Sequence, residues 1–166
     1  MAFKEIIQPQ IIFIDEDLRL RNPDKIEWKT ALPWYQNLKV LLYSEGVTDM
    51  VYDMDIINRM YKYLSSIGEL YFIEIFEDEI WKSSGDVTLS EKNMPIAIGD
   101  EEYWGRGIGK KVISKIIERA KSIKLSKIYI PEIYLYNNRS QNLFTSMGFI
   151  EVNKNDIEKS YELNLL

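Results

Sequence analysis

Glycines at 105, 107 and 109 alternate with Arg106, Ile108 and Lys110 in the run Tyr103-Trp104-Gly105-Arg106-Gly107-Ile108-Gly109-Lys110. The run follows a β-like segment, Met94 to Gly99, and opens a strongly amphipathic stretch. Glycines remove side chains where backbone must approach a ligand, and successive N–H groups at a helix N-terminus form an anion site. A phosphate group suits that chemistry. Spacing then separates the phosphate binders. A P-loop needs G-x-x-x-x-G-K-[ST], but Gly105 is followed four residues later by Gly109-Lys110-Lys111, with no Ser or Thr to hold magnesium. A dinucleotide fingerprint needs G-x-G-x-x-G, and Gly107-x-Gly109 is followed by Val112. Both fail. The chain has no cysteine and no histidine, so disulfides, thiol nucleophiles and imidazole bases are excluded. Any acid–base chemistry must fall to Asp, Glu, Tyr, Lys or water.

A second segment lies one helix and one strand further on: Asn137-Asn138-Arg139-Ser140-Gln141-Asn142-Leu143-Phe144-Thr145-Ser146-Met147-Gly148-Phe149. Asn137 alone reads as a helix N-cap, but capping does not account for a Gly-Phe pair at the far end of the same helix. Taken together, the glycine loop with its interleaved basic residues and this Asn-to-Gly-Phe segment resemble the GNAT superfamily of acetyl-CoA-dependent N-acetyltransferases. That family's pyrophosphate loop is written [QR]-x-x-G-x-[GA], and its later segment carries an Asn and then Tyr-x-x-x-Gly-Phe.

The bulk properties agree with one domain over residues 1–166 that buries a real core. Aromatic residues at 13% and hydrophobic residues at 46% exclude disorder. No stretch approaches transmembrane length, and the N-terminus lacks a signal-peptide plan, so the expected location is cytoplasmic with no membrane partner. A net charge of −5 argues against nucleic-acid binding and is compatible with an amine substrate.

The elements that must position these residues follow from periodicity. Gln10 to Ile14 and Leu18 to Arg21 read as strands joined by an Asp15-Glu16-Asp17 turn. Ala31 to Tyr43 and Met54 to Ile67 read as helices ended by Gly46 and Gly68, with Asp53 capping the second. Glu69 to Phe76 is apolar on both faces and reads as a central strand, broken only by Glu74. Ile80 to Leu89 and Met94 to Gly99 supply two more strands. Ile108, Val112, Ile113, Ile116, Ile117, Ala120 and Ile123 recur at helical spacing after the glycine loop. Then come a strand Lys127 to Tyr136, a helix Arg139 to Ser146, and a closing pair, Phe149 to Val152 and Lys159 to Leu165. The order matches the GNAT plan. The expected class is therefore α+β, a mixed central β-sheet with splayed central parallel strands flanked by about four helices. Pro131 sits inside a strand, where a ladder normally rejects it. The splay of that fold, or a β-bulge, accounts for it.

The resemblance also implies a chemistry. Acetyl-CoA would be the co-substrate, with no metal, held by Ile98, Gly99, Gly105, Arg106, Gly107, Ile108, Gly109, Lys110 and Asn137. A backbone N–H at Ile98 or Gly99 would polarise the thioester carbonyl; Gly99 departs from the family's Val or Leu. Trp104 replaces the family's Gln or Arg and is expected to pack against the helix. In the branch that acetylates protein N-termini, a Glu lies five residues before the motif Asn, and Glu132 stands there as the implied base. Glu74, Asp86 and the pair Glu101-Glu102 are second choices. The family's general-acid Tyr is Phe144 here, which leaves Tyr134, Tyr136 or unassisted departure of the thiolate. Trp34, Tyr35, Tyr43 and Tyr52, with Asp49, Asp53 and Asp55, would offer an acceptor surface. The expected reaction is acetylation of a primary amine on a small molecule or peptide. Two alternatives are an enzyme like the aminoglycoside 6′-N-acetyltransferases, whose loops Tyr-Trp-Gly-Arg-Gly-Ile-Gly also resembles, and a non-catalytic CoA-binding relative. A homodimer is allowed.

Overall fold

The computed structural model describes residues 3–166; the first two residues of the expected 1–166 domain lie outside them. Strands β1 (Ile11–Asp15) and β2 (Leu18–Arg21) form the expected hairpin, its turn closed by the Asp17 N–H donating to Asp15 Oδ1 at 2.9 Å. Strand β3 (Gly68–Glu77) pairs with β2 and with β4 (Ile80–Ser90), and β4 pairs with the short β5 (Ile96–Ile98). The result is a five-stranded sheet in the order β1-β2-β3-β4-β5. Every residue of β3 from Gly68 to Ile75 is buried, as its two apolar faces require.

The expected single helix over Ala31–Tyr43 is divided. A 3-10 turn (Lys25–Ala31) leads into α1 (Leu32–Tyr35), and the chain breaks before α2 (Leu38–Glu45). The break is a capping event: Asn37 turns extended and its side-chain oxygen accepts from the Lys39 N–H at 2.9 Å. Gly46 then ends α2 in the left-handed region at φ 69°. Helix α3 (Met54–Ile67) runs as predicted, with the Asp53 side chain accepting from the Ile56 N–H at 2.9 Å.

Helix α4 (Ile108–Ser122) buries Val112, Ile113, Ile116 and Ala120. From its last turn, Arg119 reaches across to β3 and donates to both oxygens of Glu69, at 2.9 and 2.8 Å, while the Tyr71 hydroxyl donates to Oε1 at 2.8 Å. Glu69 is 1% exposed, so this fork fixes α4 on the sheet with a desolvated, fully partnered carboxylate.

The remaining elements are β6 (Lys127–Tyr134), α5 (Asn138–Ser146), β7 (Ile150–Lys154) and β8 (Glu158–Asn164). They make a second sheet in the order β6-β8-β7. Among the described residues every ladder is antiparallel and none joins β5 to β6. The expected α+β class holds, with the expected splay widened into a separation of two antiparallel sheets, and five α-helices among the described residues. Strand β6 also ends two residues earlier than predicted. Both readings of Pro131 hold at once. The β6–β8 register runs from Ile130 opposite Tyr161 to Ile133 opposite Lys159, which leaves one extra residue at Pro131-Glu132. The other edge of β6 carries no ladder.

Two cores result. One lies between the sheets and α4, with Tyr71, Ile113, Ile128, Phe144 and Phe149. The other lies under the N-terminal helices, with Trp28, Trp34, Tyr35, Tyr61 and Phe72. Trp34 and Tyr35, expected as acceptor surface, belong to this second core.

Candidate active site

The separation of β5 from β6 opens a cleft of about 430 Å³. One wall is the start of α4. Gly107 is its N-cap at φ 77°, with no side-chain cap, and Gly105 has the same φ of 77°. A Cβ placed at either would meet no atom within 4 Å. Both glycines are therefore there for backbone conformation and for the open space above them. The first amides of a helix with no cap have no internal acceptor. Gly109 lines the cleft too, and a Cβ there would lie 3.3 Å from Leu143, so it also lets α4 approach α5 closely. Ile108 and Lys110 line the cleft as predicted. Arg106 does not; its guanidinium lies 5.1 Å from the Tyr103 ring centroid.

The opposite wall is β5. Gly99 donates its N–H to the Ser84 carbonyl at 2.7 Å, and Thr88 donates to Pro95 at 3.1 Å. Amides alternate between the two edges of a strand, so the Ile98 N–H turns away from β4 and into the cleft. Of the two predicted donors, Ile98 is the one whose N–H is left free on the cleft side. Gly99 is corrected to a packing role: a Cβ there would sit 2.1 Å from Trp34 Cγ. Trp104, which sequence reading had packing on the helix, donates its indole N–H to the Ile98 carbonyl at 2.7 Å and lines the cleft. Arg139 lies over its face at 5.0 Å. Asn137 is buried between the walls, Oδ1 accepting from the Ser140 N–H at 3.1 Å and Nδ2 donating to the Tyr43 carbonyl at 3.3 Å. It caps α5 and ties it to α2.

Behind β5 lies a second cavity of about 170 Å³. Tyr43, Ser44, Ile96, Ala97, Asn137 and Ser140 line both cavities, so the two meet there. Three carboxylates line the second: Glu132 on the β6 bulge, Glu45 at the end of α2, and Asp86 on β4. Glu132 is exposed, Glu45 half-buried, and Asp86 2% exposed. No Lys or Arg lines it. Burial, followed by the nearby charge of Asp86, pushes the Glu45 carboxyl up to about 7 against an opposing hydrogen bond from Tyr52, with the charge of Glu132 adding a lesser push upward. Burial likewise pushes Asp86 up to about 6, although the hydroxyls of Tyr35 and Tyr61 donate to its Oδ2 at 2.6 and 2.7 Å and hold it down.

The other predicted carboxylates are elsewhere. Glu74 accepts from Arg19 at 2.8 Å, Arg21 at 3.0 Å and Ser83 at 3.1 Å, a structural network on the far side of the sheet's hairpin. Glu101 accepts from Asn37 and Lys39 on the surface, at 2.8 and 3.1 Å, and Glu102 is exposed. Asp49, Asp53 and Asp55 line neither cavity. Phe144 is 3% exposed and packs edge-on against Phe149. Tyr134 and Tyr136 stack on each other and donate their hydroxyls to the carbonyls of Glu45 and Leu42. Glu45 was missed because a lone carboxylate one residue before a helix-ending glycine carries no spacing signal; its burial and its acidic neighbours come from elements distant in sequence.

Comparison with known proteins bears on this arrangement. Residues 98–149, from β5 through the glycine loop, α4, β6 and α5, match the acetyltransferase (GNAT) family. The chain is 32% identical over 101 residues to the uncharacterized protein MJ1062 of Methanocaldococcus jannaschii. That match covers 57% of this chain and 21% of the relative, so the chain spans about a fifth of the relative's length. A crystal structure of a domain from the same organism superposes with a TM-score of 0.78 at 23% identity, over 91% of this chain and all of that one. A spermidine N-acetyltransferase from Vibrio cholerae, solved with CoA and spermine, superposes with a TM-score of 0.70 at 18% identity, covering 91% of this chain and 97% of that one.

Proposed function

We propose that this chain, whose residues 98–149 match the acetyltransferase (GNAT) family and whose fold superposes on solved acetyltransferases, moves an acetyl group from acetyl-CoA to a primary amine. One observation carries the reading. A cleft bounded by an uncapped helix N-terminus meets, behind β5, a cavity lined by three carboxylates and no cation.

The pyrophosphate of acetyl-CoA rests on the first amides of α4, with Lys110 adding charge. The acyl arm runs along the open edge of β5, where the Ile98 N–H donates to the thioester carbonyl oxygen. This donor gains strength as that oxygen becomes an alkoxide. The amine enters from the acidic cavity. Glu45, poised near neutrality and beside Glu132, takes a proton from the ammonium, and the freed lone pair attacks the carbonyl carbon. The C–N bond forms, the attacking nitrogen gives up its second proton to solvent water, the C–S bond breaks, and the electron pair leaves on sulfur. Phe144 has no proton and the hydroxyls of Tyr134 and Tyr136 are committed to α2 carbonyls. The thiolate therefore departs without a dedicated acid, which a thiol of pKa about 8.5, taking cysteine as the model, allows. The enclosed cavity favours a small amine or a chain end over a folded protein surface.

Phe144 is the one feature that favours a non-catalytic CoA binder. Release of free CoA, followed with and without a panel of amines, separates the two: amine-dependent release supports the transferase, and tight CoA binding with no amine-dependent release supports the binder.

A further inference from the structure

Asp86 is a carboxylate nearly sealed inside the protein, yet its two hydrogen bonds, from Tyr35 and Tyr61, both fall on Oδ2. Among the described residues none falls on Oδ1, and Asp86 lines the acidic cavity. A buried carboxylate without a cationic partner is costly, and the walls around it hold no Lys or Arg. A metal is a poor answer, since among the described residues no group of three or more His, Cys, Asp or Glu is placed to hold one. An organic cation answers better. Met60, Leu64, Ile130 and Ile133 line the same cavity and give it apolar surface suited to methylene groups. Tyr43 and Tyr63 line it too, and tyrosine rings attract cations.

We propose that this cavity takes an amine bearing a second cationic centre on a short aliphatic spacer, with Asp86 binding the distal charge. The inference rests on the acetyltransferase reading for its chemistry, but the site itself is defined by binding. The exposure gradient sets the direction of the ligand: Glu132 lies at the mouth, Glu45 beside the reactive amine, and Asp86 at the floor. Burial raises the Asp86 carboxyl to about 6, so at neutral pH it is largely ionised and available to a cation.

Calorimetry on the CoA-loaded protein, in which no transfer can occur, tests the site. 1,4-Diaminobutane and n-butylamine differ only in the distal ammonium, and physiological salt suppresses general attraction to an acidic protein. The wild-type chain should bind the diamine about tenfold more tightly or better, and Asp86→Asn should bring the two affinities together; its melting temperature and CoA affinity report that it is folded. Equal affinities in the wild-type protein overturn the proposal without any variant, and so does a preference that survives Asp86→Asn. Diamine selectivity without amine-dependent CoA release would leave the site standing and remove the transferase chemistry.

Discussion

At the scale of single residues, the chemistry concentrates on carboxylates whose surroundings differ. Glu45 and Asp86 are both raised by burial, and Glu45 further by its acidic neighbours. For Glu45 as base, kcat/KM of the wild-type protein should climb with pH through about 7. Glu45→Gln should lose about 10²-fold at neutral pH. The loss should shrink as the pH nears the amine's own pKa, where the nucleophile arrives neutral; a pH profile with an unchanged acid limb would shift the role to Glu132. Asp86 makes a prediction about stability. Its folded value, about 6, lies above its ordinary value of 3.8, so between those values the folded state holds more proton than the unfolded one. Stability from this group therefore falls as pH rises across that window, and the cost is fully present above it. Asp86→Asn should melt higher than wild type at about pH 8, by the equivalent of roughly 1–3 kcal/mol, and converge with it below about pH 4. Thermal melts at the two pH values check this. Neither residue stood out in the sequence as these do in the structure. Asp86 was one of several second choices, and Glu45 was absent, because burial and neighbouring charge come from α2, α3 and β6 meeting in space.

At the scale of elements, periodicity was a good guide wherever one face is buried continuously. Helices α3 and α4 and strand β3 lie where their apolar spacing puts them, because a long stripe or a two-faced run leaves little choice of register. The failure at Ala31–Tyr43 is local in origin. The apolar pattern continues through position 37, but Asn37 prefers to cap, and the resulting break swings α2 so that Glu45 reaches the cavity. The spacing of the glycine loop predicts an anion site, yet not the division of labour within it: Gly105 and Gly107 free the backbone, Gly109 admits Leu143, and Gly99 admits Trp34. Gly107→Val should lower acetyl-CoA affinity by about tenfold or more, since the left-handed N-cap at φ 77° is strained for a β-branched residue and its side chain would enter the cleft. Calorimetry with an unchanged dissociation constant would remove the phosphates from α4. The Arg119–Glu69 fork joins α4 to β3 and holds that N-terminus in place from its far end. Arg119→Ala leaves a buried carboxylate facing one hydroxyl and should cost about 3–5 kcal/mol in denaturant unfolding.

At the scale of the whole molecule, two antiparallel sheets part between β5 and β6, and everything functional follows from that gap. It frees the Ile98 amide, it tolerates Pro131 on a strand with an unladdered edge, and it joins the cleft at the start of α4 to an acidic cavity. No helix among the described residues is long and apolar enough to cross a membrane. The absence of cysteine and histidine, plain in the sequence, has its consequence at this scale too. On the proposed reading, the lack of a thiol or imidazole to carry the acyl group predicts that both substrates occupy the joined cavities together and that the amine attacks the thioester directly. Initial rates of CoA release, measured over a grid of acetyl-CoA and diamine concentrations, test this most directly. Double-reciprocal lines that intersect are the predicted result; parallel lines, or a rate of release indifferent to the amine, would contradict it.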